Sequence, residues 1–460
     1  MKLLLVYPPF CTPTTIPYSI SYLKSFLNDN IERKRKIIEF DTKCIDLNAK
    51  WHRLKFNNLY KDIKIANSIE EYGDVLNNFR NQATQIYYDN HQLILNNEEP
   101  EYFNDIINKI IEENPTHVAL SFVYNSQVFW GTAIINKLNK LGIKCYIGGP
   151  AVTDKLKQIA KFANHEVEFL EQINKELNII KKDEIDMNNL NCNTIVNFND
   201  YDNEDYLSKE PVVPIRTTVA CPYKKCTFCT HHANGTYIEY DIDSIVETIK
   251  QSKFKHICFI DDYILPMRLK ILSEKLKGIG AKWWIQTKPV KEIIPLLKEA
   301  SLSGLTAISW GLESGSQEIL DKIKKGTNIR DIEAVLNESK SHGIINIVYV
   351  IFGFPTETKE QFVETIDFLK QNSNNLDMVS TSIFGLQEGS YIYKNPEEFK
   401  IKKINREERT LLPPKITYDI QEGMTTKQAT RLKDKYSKTL KSLNKLPASF
   451  NIYKEQIILF

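Results

Sequence analysis

The sequence predicts an α/β protein in two successive parts: a doubly wound, Rossmann-like parallel sheet, then a partial TIM-type (β/α)6 barrel and a short, mostly helical C-terminal region. Three observations carry this. Short apolar strands alternate with helix-period segments over 2–150, and the alternation restarts at 212. The second run holds roughly six β/α units, short of the eight that close a full barrel. A length of 460 residues, 42% of them hydrophobic, can bury two or three cores. The expected domains are 1–155, a linker at 156–210, a barrel at 211–400 and a helical region at 401–460.

In order along the chain, "KLLLVYP" (2–8) reads as a buried strand, 16–29 as a helix and "KIIEFDT" (36–42) as the second strand. Residues 50–115 are polar, aromatic and helical in period. "HVALSF" (117–122) is the third strand, 127–142 a helix and "KCYIGGP" (144–150) the fourth strand. Its Gly148 and Gly149 allow a ligand or backbone to approach the carboxyl ends of the strands, where such sheets bind ligands. The stretch 156–210 is rich in Asn, Asp, Glu and Lys and reads as a linker with a helix or two. The second alternation opens with "VVPIRTTV" (212–219) and a helix at 241–252. Strands "HICFIDD", "KWWIQT", "TAISWG", "INIVYVIFG" and "DMVSTSIFG" then alternate with helical segments, and the tail carries a Lys-rich helix at about 425–445, read as a solvated face.

The charges nearly cancel, 60 basic against 58 acidic for a net +2, so nothing argues for nucleic acid or an anionic membrane. "MKLLLVYPPF" holds one Lys and a short apolar run that ends at two prolines, with no small-residue cleavage site; it reads as a strand, not a signal peptide. The apolar stretch 344–355 is too short to span a bilayer. A cytoplasmic protein is expected.

Of eight cysteines, Cys11, Cys44, Cys145, Cys192 and Cys258 are scattered and read as small buried hydrophobes. Cys221, Cys226 and Cys229 instead form C-x4-C-x2-C on the loop after the first strand of the second alternation. Three thiolates on one loop repel one another, and a bound metal removes that penalty. Zinc would take the three cysteines with His231 or His232 as fourth ligand, although no second C-x2-C pair exists. A c-type haem needs His directly after the last Cys, and Thr230 stands there. A four-iron cluster normally takes four cysteines; three would leave one iron open, as catalysis requires.

The loop resembles that of radical S-adenosylmethionine (radical SAM) enzymes, which hold a [4Fe–4S] cluster on three cysteines with an aromatic residue before the last, as Phe228 is here. The usual first spacing is three residues. The longer spacing here, followed by His231 and Tyr237, is similar to the subgroup with an N-terminal cobalamin-binding-like domain; Val219-Ala220 departs from its common Arg-Gly. "FIDDYI" (259–264), "SWGLESGSQEILDKIKKGT" (309–327), "IFGFPTETKEQFVETIDFL" (351–369) and "FGLQEGSYIYKNPEEF" (384–399) resemble further motifs of the subgroup, in its order, so the likeness covers about 212–400.

The resemblance implies that S-adenosylmethionine binds the open iron and is split by one electron into methionine and a 5′-deoxyadenosyl radical that takes hydrogen from a substrate. It implies a reducing partner such as flavodoxin or ferredoxin. Asp261 or Asp262 would meet the cosubstrate's ammonium, Glu313 its ribose or amine, and Gly353 would admit the adenine. Gln286 and Lys288 would meet a carboxylate or the substrate.

The first domain resembles cobalamin-binding domains in element order. The D-x-H-x-x-G motif that supplies a cobalt ligand is missing; "DNHQLI" offers Asp89 and His91, but Ile94 replaces the Gly. Relatives bind cobalamin without that histidine, and Ser121, Asn125, Gly148 and Gly149 suit a corrinoid edge. The favoured reading is a cobalamin-dependent methyltransferase acting on an unactivated carbon of a small molecule or peptide. The alternatives are a radical SAM enzyme without cobalamin (rearrangement, epimerisation or crosslinking) and a non-catalytic, zinc-stabilised binding protein.

Overall fold

Leu3, Leu4, Leu5 and Val6 are fully buried, and this apolar run seeds a sheet that needs cover on both faces. The strand is β1 (Lys2–Tyr7), at the start of a computed structural model that describes residues 1–32, 38–181, 190–231 and 235–460. These fall into two compact units, Met1–Pro214 with Asp243–Phe254 and Arg409–Pro413, and Ile215–Ile242 with Lys255–Glu408 and Pro414–Phe460.

In the first unit β1 lies between β2 (Asp41–Asp46) and β3 (His117–Ser121), followed by β4 (Lys144–Gly148) and β5 (Lys161–Phe162), in the order β2-β1-β3-β4-β5. All four pairings are parallel. The order reverses between β1 and β3, which makes that point the ligand-binding switch point of such a sheet. The second strand lies later than the expected 36–42, of which Lys36 and Ile37 fall outside the described residues. Its register is set by Cys44, Ile45 and Asp46 opposite Leu5, Val6 and Tyr7, so burial against β1 outweighs the apolar "KII" upstream. The polar stretch after β2 forms helices Leu47–Lys55, Asn57–Ile65, Ile69–Leu95 and Phe103–Ile111, whose core is aromatic: Trp51, Tyr60, Tyr72 and Phe79 are buried.

Residues 156–210, expected as a linker, lie inside the first unit. They supply β5 and the helix Glu166–Leu177, and polar side chains bind their end of the stretch: Lys24 pairs with Asp200 at 2.6 Å, and Thr194 donates to Asp29 at 2.6 Å. Composition hid this because the buried apolar anchors, among them Phe169, Ile173, Val196 and Phe198, are interspersed with polar residues.

The second sheet runs β6 (Val212–Ile215), β9 (His256–Phe259), β10 (Lys282–Thr287), β11 (Leu305–Glu313), β12 (Ile345–Phe352) and β13 (Met378–Ile383) in sequential order. Sequential parallel order is that of a barrel opened before closure. The expected strand 212–219 is broken: after β6 the chain turns, and β7 (Thr218–Val219) pairs antiparallel with β8 (Ile238–Glu239). The expected helix at 290–304 splits into a 3-10 turn, Lys291–Leu296, and a helix, Leu297–Leu302, because Pro295 lacks the N–H a continuous helix needs.

The region from 401 is less helical than expected. It opens with an antiparallel hairpin, β14 (Ile401–Glu407) and β15 (Lys415–Ile420). Ile401, Ile404, Ile416, Tyr418 and Ile420 join a cluster with Phe354, Phe384, Phe399 and Phe228. Lysines between the apolar positions of β14 masked the strand period. The tail helix is two helices, Thr426–Lys435 and Ser437–Ser442, the first started by a Thr425–Gln428 capping box.

Candidate active site

The three-cysteine loop hangs from the carboxyl ends of β6 and β9. Asp261, just past β9, is 3% exposed and accepts bonds from the Thr217 and Thr218 backbone N–H groups and from both hydroxyls, at 3.1 Å and 2.7 Å. Arg268 grips the same turn: it donates to the Thr217 carbonyl at 2.6 Å, the Thr217 hydroxyl at 2.8 Å and the Tyr240 carbonyl at 2.7 Å. Burial pushes the Asp261 carboxyl up, and the threonine bonds pull it back. These bonds, mostly to Oδ1, tie Asp261 to the turn and fix where the loop begins. Asp262, the alternative, is partly exposed and accepts from His231 Nδ1, which raises the imidazole's pKa.

Within the loop Ala220 adopts φ +60°, the left-handed region that disfavours a Cβ, at the position where similar loops carry Gly. Cys221, Cys226 and Cys229 are partly buried, and all eight cysteines are free. Burial pushes the Cys226 thiol up while Lys325 and Lys288 pull it back; burial pushes Cys229 up to about 11, against a bond from the His231 N–H. Both thiols therefore hold their protons until a metal displaces them. Phe228 is packed on the hairpin cluster, which anchors the loop between its second and third cysteines. Among the described residues no three His, Cys, Asp or Glu side chains converge as ligands of one ion. His232, the other histidine of the zinc reading, lies outside the described residues.

Glu313 ends β11 at φ +67°, beside a register shift between Gly311 and Glu313. It is not a solvated carboxylate: Lys325 Nζ lies 2.6 Å from its Oε1, and both side chains are 9% exposed. Burial pulls the Lys325 ammonium down, but Glu313, with help from Cys226 and Cys229, holds it above its usual range. Gly311 leaves room for the pair, since a Cβ there would lie 2.6 Å from Lys325 Nζ. Lys325 was not singled out from sequence; its only signal was a lysine one turn after a helix, before Gly326. Lys288, past β10, is 6% exposed, and its Nζ lies 3.3 Å from the Tyr223 ring centroid. Burial and Lys325 lower its pKa to about 8. Gln286 is partly buried and donates to the Asp262 carbonyl at 3.5 Å.

Gly353 lies at a close packing point past β12. A Cβ there would lie 2.7 Å from the Cβ of Ala429, so the missing side chain admits the helix Thr426–Lys435, and its N–H donates to Glu357. Glu357 is fully buried, one oxygen lacks a partner, and burial pushes it up to about 8.

In the first unit, Gly149 sits at φ +105°, where a Cβ would meet the Phe122 carbonyl oxygen at 2.3 Å. The Phe122 N–H donates to the Gly148 carbonyl at 2.8 Å. The close approach is thus of backbone to backbone. Ser121 donates to Ser19 at 2.8 Å; Asn125 is exposed, beside Tyr124, which is 50% exposed. His91 stacks on Phe129 with ring centroids 4.0 Å apart inside the helical insert, away from any role as a strand-end ligand.

The Radical SAM superfamily model matches residues 215–369, about a third of the chain, and the match spans the cysteine loop, Glu313 and Gly353. This segment resembles the radical SAM superfamily. Over 180 residues, 35% of its length, the chain is 31% identical to bacteriochlorophyllide d C-12(1)-methyltransferase of Chlorobaculum tepidum, and it covers 38% of that relative's length. Two solved structures share its fold. TsrM from Kitasatospora setae, solved with tryptophan substrate and a SAM analogue, matches with a TM-score of 0.65 at 13% identity over 99% of this chain and 96% of its own. OxsB, solved with aqua-cobalamin and S-adenosylmethionine, matches with a TM-score of 0.54 at 16% identity over 86% of this chain and 56% of its own. An N-terminal parallel sheet followed by a partial barrel is therefore the architecture of this chain. No described helix is long and apolar enough to cross a membrane.

Proposed function

We propose that this chain is a radical SAM enzyme that uses S-adenosylmethionine, a [4Fe–4S] cluster on Cys221, Cys226 and Cys229, and cobalamin to methylate an unactivated carbon of a small molecule or peptide. The observation that carries the reading is the Glu313–Lys325 pair beside the cysteine loop. The methionyl end of the cosubstrate is a zwitterion, and a buried carboxylate next to a buried ammonium matches both of its charges. Lys325 is close enough to Cys226 and Cys229 for their charges to act on one another. A reduced cluster, when bound, supplies the single electron that splits the sulfonium. This chain's own work is to fix the loop through Asp261 and Arg268, orient the methionyl end through Glu313 and Lys325, and keep water from the strand ends. The electron would come from a carrier such as flavodoxin or ferredoxin.

For cobalamin, the support is the order of the first sheet and the exposure of Tyr124 and Asn125 beside its switch point. Bound cobalamin would supply the methyl group, and Asn125 would hold its edge. A second reading, a radical SAM enzyme without cobalamin, is favoured by one observation: Gly148 and Gly149 are already occupied by the Phe122 backbone.

Anaerobic reconstitution tests these readings. About four iron and four sulfide per chain, with formation of 5′-deoxyadenosine from S-adenosylmethionine, is the expected result. A retained corrinoid spectrum selects the methyltransferase. A colourless protein with one zinc overturns both.

A further inference from the structure

The last two strands of the second sheet have one filled face and one open face. On the face toward the helices, Val348, Val350, Phe352 and Val379 are all buried, and Phe352 stacks on Phe362 of the helix Lys359–Gln371 at 4.1 Å between centroids. Side chains alternate along a strand, so Tyr349, Ile351, Ser380 and Ser382 face the barrel interior. The register sets Tyr349 beside Ser380 and Ile351 beside Ser382. Tyr349, Ile351 and Ser380 are partly exposed there, and Ser382 is exposed. A closed barrel fills its interior with layers of bulky side chains. Here two serines hold such positions, and solvent reaches the wall.

The wall is built from behind and below. Trp284 Nε1 donates to Ser309 Oγ at 3.2 Å, and Ser309 in turn bonds the Tyr349 phenol as a donor, which leaves the phenol's own proton to give. The Lys454 ammonium lies 5.1 Å from the Tyr349 ring centroid and donates to the Asn451 carbonyl at 2.6 Å. Lys454 opens the turn Lys454–Leu459, whose Gln456, Ile457 and Ile458 are buried against β9, β10 and β11. The Phe460 carbonyl accepts from Lys282 at the amino end of β10, so the chain's last residues form a floor. Between this floor and the Glu313–Lys325 pair, the wall of β12 and β13 carries hydroxyls and Ile351 but no charge. The Ser380 and Ser382 hydroxyls have no hydrogen-bond partner among the described residues. An apolar ligand would strip them of water and return no bond, and a charged one would meet no counter-charge.

We propose that Tyr349, Ser380 and Ser382 determine specificity by receiving an uncharged, hydrogen-bonding group, an amide or an alcohol, of the molecule from which hydrogen is taken. This deepens the proposed function and rests on it. The charges at the mouth serve the cosubstrate, and the neutral wall serves the second molecule.

The full chain, reconstituted with its cluster and saturated with S-adenosylmethionine, is titrated calorimetrically with N-methylacetamide, with ethylene glycol and with acetate. At least one neutral probe should bind more tightly than acetate. Replacing both serines (Ser380→Ala with Ser382→Ala) should weaken that probe about fivefold or more, the loss expected for two hydrogen bonds. Ser382→Thr keeps a hydroxyl and should bind as wild type does, which separates a lost bond from a lost fold; Ser382→Leu should block the probe. The preference between the neutral probes tells a peptide-like amide from an alcohol. Equal binding by wild type and the double-alanine variant overturns the proposal. So does acetate binding more tightly than both neutral probes, or no binding of either neutral probe by wild type. If wild type instead takes up no iron or no S-adenosylmethionine, the underlying function has failed and this assignment with it, a result told apart by metal and cosubstrate content.

Discussion

The strand ends of the two sheets are finished in opposite ways. In the first, Gly149 is closed by the Phe122 backbone, and the helical insert packs Trp51, His52, Phe10 and Trp130 into an aromatic mass. Burial there holds His52 neutral, with its pKa lowered to about 3. In the second, Asp261, Lys288, Glu313 and Glu357 are all buried, where the first sheet buries the carboxylate of Asp46 at the end of β2. Apolar packing is self-sufficient, whereas buried charge has to be matched by partners or ligands. The contrast teaches that one α/β plan yields a sealed end or a reactive end according to which residues terminate its strands.

The largest effect should come from breaking the reactive end at its metal. Cys226→Ala should remove most of the reconstituted iron and lower S-adenosylmethionine cleavage at least about a hundredfold. Cysteine-loop variants with normal iron content and normal turnover would refute the assignment. Next, Lys325→Met leaves Glu313 buried without its cation. Denaturant unfolding should show about 3–5 kcal/mol lost, and S-adenosylmethionine should bind more weakly. On the sealed end, Gly149→Ala puts a Cβ against the Phe122 carbonyl and should cost about 1–3 kcal/mol, read as a lower Tm, with iron content unchanged. A loss of iron in that variant would break the comparison.

His52 and Glu357 should also respond oppositely to pH. His52 has a folded pKa below its unfolded value of 6.5, so the unfolded chain binds the proton first, and stability falls as pH drops from 6.5 toward 3. Glu357 has a folded pKa above its unfolded value of 4.5, so the folded chain keeps the proton, and stability falls as pH rises from 4.5 toward 8. Each slope is at most about 1.4 kcal/mol per pH unit. Glu357→Gln should reduce the alkaline limb, to which Asp46, raised to about 7 by burial, also contributes, and leave the acid limb in place; unfolding midpoints across pH check this. The smallest effect is expected from Ala220→Gly, which relieves a Cβ at φ +60° for a gain of about 1 kcal/mol less the entropy of glycine.

The candidate site was legible in part. The cysteine triplet is contiguous in sequence and needs no fold to be seen. Glu313 and Lys288 could be placed at strand ends because apolar strands advertise where they stop. Lys325 and Tyr223 could not, since each matters through a partner brought near by folding. The bonds Asp261 makes to its own turn were out of reach for the same reason. A carboxylate at a strand end reads alike whether it faces a ligand or its own backbone, and only the positions of Thr217 and Thr218 decide. The hairpin at 401–420 was missed because its burial is supplied by Phe354, Phe384 and Phe228, residues far away in the chain.

By itself, the sequence determined what depends on local order: the repeated strand–helix alternation, the loop bearing three thiols and the carboxyl-end location of its polar residues. Tertiary structure alone decided which charges are neutralised within the molecule and which are left over. Charge pairing depends on distance through space, and a dozen residues separate Glu313 from Lys325 along the chain but 2.6 Å between their charged atoms.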